Sequence, residues 1–281
     1  MPPVQVTGEV LAVKKVGAYL SMTVVAPGIA EQTRPGQFVA LAVGGAESSM
    51  LLRRAFSIYA VRERGIYGGT VEFVFSVHGK GTEWLSRRKQ HDQVDIVGPL
   101  GRPFRLPTRP ASCTLVGGGY GSAPLFMLAD ALRARGCRVD FVLGAATTER
   151  LFGALDAQRM SSLVAFTTED GSYGERGRVS DALPEIIRRA ATDVVYACGP
   201  MPMLRAVAEI AEAHGIPSQL AVEEAMACGI GVCMTCVLPV RGDDGLTRML
   251  RSCVDGPVFM GESVRWDALG AVPADCVGAP K

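Results

Sequence analysis

Short runs in which apolar and polar residues alternate fill the first third of the chain, with glycines and prolines between them. Alternation of this kind is typical of β-strands that bury one face. It predicts six strands: Val4–Val16, Tyr19–Val25, Gln37–Val43, Ser57–Val61, Gly69–Val77 and Gln93–Val97. A helix at Thr82–Lys89, with Thr82 as its N-cap, interrupts them. This spacing predicts a small antiparallel β-barrel.

After Pro110 the pattern changes to buried strands that alternate with amphipathic helices. The predicted strands are Ser112–Val116, Arg138–Leu143, Leu163–Thr167 and Asp193–Ala197. The predicted helices are Ala123–Arg135, Ser180–Arg189 and Pro202–His214. Such alternation predicts a parallel sheet with helices on both faces, a type of domain that binds nucleotides.

From about Val222 onward the helical periodicity disappears, and only Val237–Val240 predicts a strand. This segment has too few aliphatic residues for a core of its own, so we expect a metal centre or packing against the rest to hold its shape. The chain is therefore predicted to be a multidomain α+β protein. We expect a barrel at 1–108, an α/β domain at 109–221 and a small C-terminal module at 222–281.

Composition narrows the possible functions. A net charge of +1 argues against binding nucleic acid through a large basic surface. The first ten residues do not have the pattern of a secretory signal, and no apolar run is long enough to span a bilayer. We therefore expect a cytoplasmic protein without a membrane partner. In that reducing compartment the eight cysteines are expected to include metal ligands rather than disulfides.

Four of the eight cysteines lie close together in the C-terminal segment. Cys228, Cys233 and Cys236 form a C-x4-C-x2-C run, and Cys253 follows after sixteen further residues. This spacing is that of plant-type [2Fe–2S] loops, in which a tight loop supplies three thiolates and a later strand the fourth. A zinc site and unliganded core cysteines are the alternatives.

Two further motifs suit a flavin on the barrel. Two residues separate Arg54 from Ser57, so both can serve one bound cofactor, Arg54 at a pyrophosphate and Ser57 at a flavin ring edge. A strand with a surface arginine is the alternative. The glycines that precede the helix at Thr82 expose backbone amides to phosphate.

A glycine-rich loop follows the first strand of the α/β domain, where a dinucleotide phosphate loop is expected. Its glycines are Gly117, Gly118, Gly119 and Gly121. They depart from the standard G-x-G-x-x-G pattern, so a simple turn is the alternative. Cys198, Gly199 and Pro200 close another strand at the same edge, and Cys198 is either a nicotinamide contact or a buried core residue.

These motifs together resemble the ferredoxin–NADP reductase superfamily, and most closely the electron-transfer subunits of class 1B dihydroorotate dehydrogenase. The resemblance rests on R-A-F-S at Arg54–Ser57, G-K-G-T at Gly79–Thr82, V-G-G-G-Y-G-S-A-P at Val116–Pro124, T-T-E-D-G-S-Y-G at Thr167–Gly174, A-C-G-P at Ala197–Pro200, M-A-C-G-I-G-V-C-M-T-C at Met226–Cys236 and C-V-D-G-P-V-F at Cys253–Phe259. Two features depart from it: Ala55-Phe56 replaces the Pro-Ile of many relatives, and Arg241–Leu250 is long.

The resemblance implies an FAD site, a [2Fe–2S] site at the four clustered cysteines and an NAD site. It places FAD at Arg54, Ala55, Phe56, Ser57, Val74, Phe75, Ser76, Gly81 and Thr82. It also implies a separate FMN-bearing catalytic subunit that oxidises dihydroorotate in pyrimidine biosynthesis, in a heterotetramer with two copies of each chain. Electrons would then pass through the cluster and FAD to NAD⁺.

A subunit of a ferredoxin:NADP⁺ oxidoreductase or of a hydrogenase is the alternative, and a zinc-stabilised regulator is a non-enzymatic one. In either redox function a flavin must stand between the carriers, because nicotinamide exchanges electron pairs and a cluster exchanges single electrons. No catalytic side chain is therefore expected. Carboxylates at Glu169 and Asp170 favour NAD over NADP, if they are more than turn residues.

Overall fold

The computed structural model describes residues 2–45, 48–62 and 68–279. Its N-terminal part contains six antiparallel strands: β1 (Val4–Val16), β2 (Tyr19–Val25), β3 (Phe38–Leu41), β4 (Arg54–Arg62), β5 (Thr70–Phe75) and β6 (Gln93–Leu100). They close into a barrel in the order β1-β2-β5-β4-β3-β6. The predicted antiparallel barrel is confirmed, with β3 shorter and β4 longer than the pattern indicated.

The barrel interior is filled by side chains that point inward from alternate positions. On β4, Phe56 and Ile58 are buried, whereas Ala55 and Ser57 are exposed on the outer face. The ring of Phe56 stacks on Phe73 at a centroid distance of 4.9 Å. The alternation that predicted the strand therefore also fixes which of its residues remain open to a ligand.

A short helix, α1 (Lys80–Ser86), connects β5 to β6. The prediction that Thr82 is its N-cap is wrong, because the helix begins earlier and Gly79 takes that position. Thr82 instead lies in the first turn, where its Oγ1 accepts hydrogen bonds from the backbone N–H groups of His78 at 2.9 Å and Gly79 at 3.2 Å. The hydroxyl thus reaches back over the loop that was expected to bind phosphate.

The second part is a seven-stranded sheet with helices on both faces. Its strands are β7 (Ser112–Gly118), β8 (Arg138–Ala145), β9 (Val164–Thr168), β10 (Glu175–Arg176), β11 (Val194–Cys198), β12 (Ser218–Ala221) and β15 (Val258–Met260). Its helices are α2 (Ala123–Arg133), α3 (Ala154–Met160), α4 (Val179–Ala190) and α5 (Met201–Ala213). The order is β10-β9-β8-β7-β11-β12-β15, and all pairs are parallel except β12 with β15.

This arrangement confirms the predicted α/β domain. The pattern missed α3, β10 and β12, which are all short. The last strand of the sheet, β15, comes from the C-terminal segment, so that segment is joined to the α/β domain by a strand pair.

The C-terminal segment also contains a hairpin of β13 (Val237–Arg241) and β14 (Thr247–Arg251). Arg265 fastens the following chain to it, since its guanidinium donates to Thr247 Oγ1 at 3.1 Å and to Asp275 at 2.8 Å. Among the helices of the described residues, none is long and apolar enough to cross a membrane.

Candidate functional site

Two neighbouring arginines at the start of β4 have different surroundings. Arg53 donates to the Asp95 carboxylate at 2.8 Å and to the Asp95 carbonyl at 3.2 Å, so it ties β4 to β6. Within the part of the chain that the structure describes, Arg54 donates only to the backbone carbonyls of Leu52 and Arg53. Its side chain lies against α1, because a Cβ on Gly81 would come within 2.8 Å of Arg54 Nε. Arg54 thus leaves most of its donors free for an anion beside Gly81.

The outer face of β4 is open to solvent next to Arg54. Ala55 and Ser57 are exposed, and Phe56 points into the barrel, so Phe56 offers a ligand its backbone rather than its ring. Val74 and Phe75 on β5 are also buried, while Ser76 is half-buried at the strand end. The predicted flavin residues therefore share one region, but only some of their side chains face outward.

A cavity of about 530 Å³ lies between the barrel and the carboxyl edge of the parallel sheet. Of the predicted nicotinamide residues, Gly118, Gly119, Gly121 and Pro200 line it. Gly117, Cys198 and Gly199 are buried behind them. The two loops touch closely, because a Cβ on Gly121 would lie 2.8 Å from the Gly199 Cα. The structure thus brings the two predicted loops together at the edge where α/β sheets bind ligands.

Two ionisable side chains, Tyr120 and Glu223, line this cavity, and the Cys198 thiol is buried behind its wall. Burial raises the pKa of the Cys198 thiol well above its usual value, and the nearby Glu223 carboxylate adds to the effect. Burial, with the same carboxylate, raises the pKa of Tyr120 to about 12. Glu223 itself is open to the cavity, yet desolvation by the surrounding protein raises its pKa. Sequence reasoning missed Glu223, which directly follows the unpredicted strand β12 and Val222.

Another part of the cavity has features suited to a sugar and its phosphate. Thr167 Oγ1 is buried and has no hydrogen-bond partner among the described residues. Glu169 lines the cavity beside Arg178, at 3.9 Å between Oε1 and Nε. Asp170 is turned away, since its carboxylate accepts from the Ser172 backbone N–H and hydroxyl. Of the two carboxylates proposed to select NAD, only Glu169 is therefore in place.

The four clustered cysteines lie as two pairs. Cys228 is close to Cys233, whose backbone N–H donates to the Cys228 sulfur at 3.5 Å. Cys236 and Cys253 are both buried and pack in one cluster with Phe38, Ala40 and Leu100. Gly229 adopts a positive φ of 71°, which glycine tolerates and which lets the loop turn tightly between the first two ligands.

The two pairs have different environments, and only that of the first pair favours thiolates without a metal. Burial acts to raise the pKa of Cys228, but backbone N–H groups lower it overall. The Thr235 hydroxyl, which donates to the sulfur at 3.2 Å, is the main cause that lowers the pKa of Cys233 to about 6. Burial and the neighbouring Cys236 raise the pKa of Cys253 to about 12. A metal would convert all four thiols to thiolates.

The pairing also bears on the identity of the metal. A structural zinc site requires four ligands around a single ion. Two pairs of cysteines instead suit a dinuclear cluster, in which each iron takes two thiolates. The four cysteines therefore fit a [2Fe–2S] cluster.

Comparisons with known proteins agree with this arrangement. Residues 223–265, which include all four cysteines, match the iron–sulfur cluster binding domain of dihydroorotate dehydrogenase B. Residues 115–209 match the oxidoreductase NAD-binding domain. The electron transfer subunit of dihydroorotate dehydrogenase B (NAD⁺) from Geobacillus thermodenitrificans is 40% identical over 82% of this chain and 86% of its own length. The chain belongs to this family.

A second relative in the family is a probable electron transfer subunit from Methanopyrus kandleri, 36% identical over 88% of this chain and 87% of that one. A solved structure of an NADH-dependent reduced ferredoxin–NADP oxidoreductase, from work on flavin-based electron bifurcation, has a TM-score of 0.78. It is 30% identical and covers 93% of this chain and 91% of its own. The cytochrome P450 reductase GcoB of Amycolatopsis, at 21% identity and a TM-score of 0.59, shares the fold.

Membership confirms several predictions made from the sequence. The chain is an oxidoreductase subunit of the dihydroorotate dehydrogenase B electron-transfer family, with an iron–sulfur cluster, a flavin and NAD as its cofactors. As an electron transfer subunit it works with a catalytic partner.

Proposed function

We propose that the chain carries electrons between an FMN-bearing dihydroorotate dehydrogenase subunit and NAD⁺. The observation that supports this best is that one fold contains three adjacent sites. These are two cysteine pairs, an anion-binding arginine on the barrel and a cavity at the carboxyl edge of the parallel sheet. Each suits one of the three cofactors of the family.

On the barrel, Arg54 would hold the FAD pyrophosphate, and Ser57 would hydrogen-bond the edge of the flavin ring. Bound flavin would supply the conversion between hydride transfer and single-electron transfer. The chain would position the flavin. Arg54 lies against Gly81, and the buried ring of Phe56 anchors β4. Ala55 and Ser57 therefore face outward.

In the cavity, the glycine loops would accept the dinucleotide, with its nicotinamide near Cys198 and Glu223. Thr167 and Glu169 would receive the adenosine ribose, because the first has an unpaired buried hydroxyl and the second a carboxylate. A carboxylate repels a 2′-phosphate, which favours NAD over NADP. Arg178 beside Glu169 partly offsets this repulsion.

The catalytic partner would dock over the cluster loop. Around the cysteines, Ile230, Val232 and Met234 are 55%, 76% and 51% exposed, and Val254 is 37% exposed. Apolar side chains grouped at the exposed Cys233 suit a protein interface rather than solvent. We propose that two copies of this chain and two catalytic subunits form the complex.

Co-purification tests this function. The chain is expressed together with an FMN-containing dihydroorotate dehydrogenase subunit, and dihydroorotate-driven reduction of NAD⁺ is measured. We expect coupled turnover that Val232→Glu weakens through loss of binding, with Val272→Glu as the control, since Val272 is 58% exposed in the C-terminal tail. A stable complex without coupled turnover would contradict the proposal.

A second function has one specific observation in its favour. The similarity to the NADH-dependent reduced ferredoxin–NADP oxidoreductase covers nearly the whole of both chains. In that case the chain would serve a larger iron–sulfur flavoprotein and not an FMN dehydrogenase. The partner that co-purifies from the native source distinguishes the two functions.

A further inference from the structure

Strand β3 of the barrel packs against two different parts of the molecule. Val39 and Leu41 point into the barrel core. Phe38 and Ala40 point outward and pack with Leu100 against the two buried cysteines, Cys236 and Cys253. The same short strand therefore supports both the flavin barrel and the cluster loop.

The neighbour of β3 on one side is β4, the strand that carries the flavin motif. Ala40 is directly opposite Ala55, and Phe38 is directly opposite Ser57. Opposed residues of an antiparallel pair point to the same face, with Cβ atoms about 4.5–5.5 Å apart. The residues that touch the cluster ligands and those that face the flavin are thus cross-strand partners on one outer surface.

Space at this junction is limited. Ala40 is 2% exposed, and a Cβ on Gly229 of the cluster loop would lie 3.7 Å from the Ala40 Cβ and 3.9 Å from Leu100 Cδ1, which are ordinary contact distances. The gap therefore holds about one additional methyl group, and a side chain at position 40 that exceeds this room pushes the cluster loop outward. The side chain at this position therefore controls how near the loop can come to β4.

We propose that the cross-strand pair Ala40–Ala55 sets the separation between the cluster and the flavin, so that Ala40 is a positioning residue for electron transfer between them. The inference rests on the proposed function for the two cofactors. Beyond that function, the inference identifies the strand pair at which the cluster site and the flavin site adjoin, and the residue that sets their separation.

The reaction that reports on this junction needs only the holo chain and NADH. NADH donates a hydride, hence two electrons, to the flavin, and each oxidised cluster accepts one electron from it. Within one chain, NADH, an oxidised flavin and an oxidised cluster give NAD⁺, a reduced cluster and a flavin that keeps the second electron and the proton. The cluster and the flavin then each hold one unpaired electron.

The test is a volume series at position 40: Ala40→Gly, the unchanged chain, Ala40→Val and Ala40→Leu. Each holo protein is assayed for iron and FAD and mixed rapidly with NADH. Bleaching of the flavin and reduction of the cluster are followed separately. The magnetic interaction between reduced cluster and flavin is measured by EPR. The control is Ala12→Leu, which adds the same volume to a half-buried position on β1.

We expect the rate of cluster reduction to fall several-fold from alanine to valine and again to leucine, and the magnetic interaction to weaken in that order. The cluster of the Ala40→Gly variant should be reduced at least as fast as that of the unchanged chain. The Ala12→Leu control should show the same rate and the same magnetic interaction as the unchanged chain. Equal rates and equal magnetic interaction across the loaded variants would overturn the inference. If the Ala40→Leu variant does not bind iron and FAD, the Ala40→Gly and Ala40→Val variants still test the inference. An unchanged chain without iron or FAD would instead refute the proposed function.

Discussion

Replacing Arg54 by glutamine removes the guanidinium that lies against Gly81 at the proposed pyrophosphate site. In the apo protein this side chain donates to the local carbonyls of Leu52 and Arg53, so its loss should change the free energy of unfolding by no more than about 0.5 kcal/mol. With FAD present it would make charge-assisted hydrogen bonds, each worth about 1.5–3 kcal/mol. Loss of one such bond should raise the Kd for FAD about 10- to 150-fold.

The adjacent Arg53 supplies a matched control. Arg53→Gln removes a partly exposed ion pair with Asp95 and should lower the stability by about 0.5–1.5 kcal/mol, without changing the Kd for FAD. Urea unfolding of the apo proteins and fluorescence titration with FAD measure the two quantities. The reasoning is refuted if both variants lose FAD affinity equally, or if Arg54→Gln is the one that destabilises the apo protein.

Three further predictions concern other parts of the molecule. Cys233→Ser should keep FAD and lose the cluster, because Cys233 is exposed and no core packing depends on it; visible spectra and iron analysis check this. Gly121→Ala should weaken NADH binding and spare FAD, since its Cβ would meet the Gly199 backbone at 2.8 Å; titration with both ligands tests it. Burial raises the pKa of Asp95, but hydrogen bonds from Arg53 and Gln5 lower it overall. The unchanged protein should therefore have a larger free energy of unfolding than Arg53→Gln. This difference should be complete above the unfolded pKa of about 3.9 and should disappear as the pH falls through the lower folded pKa, which urea midpoints measured across this pH range will show.

The parts of the fold that could be predicted are those that depend on local pattern. Alternation identified the six barrel strands, although the predicted fourth strand began at Ser57 and so did not include Phe56, whose side chain is buried between the exposed Ala55 and Ser57. The cysteine spacing identified a single loop that supplies three ligands. In both cases the residues that act together are close in the sequence, so periodicity and spacing carry the information.

The parts that could not be predicted depend on contacts between distant segments. Glu223 reaches the cavity because β12, only four residues long, joins the sheet edge. Thr167 ended a predicted strand, but only tertiary structure shows that its hydroxyl is unpaired. Ala40 gains its position from a cross-strand partner and from a cluster loop almost two hundred residues later. None of these residues has a local pattern that marks it.

Anaerobic titration of the purified chain with NADH tests the central claim most directly. The account holds that one polypeptide binds NAD, FAD and a dinuclear iron–sulfur cluster, with the flavin between the other two. It predicts iron and acid-labile sulfide in equal amounts, FAD bound to each chain, and bleaching of both the flavin and the cluster on addition of NADH. A chain that binds FAD and NADH but keeps an oxidised cluster, or contains no iron at all, would contradict it.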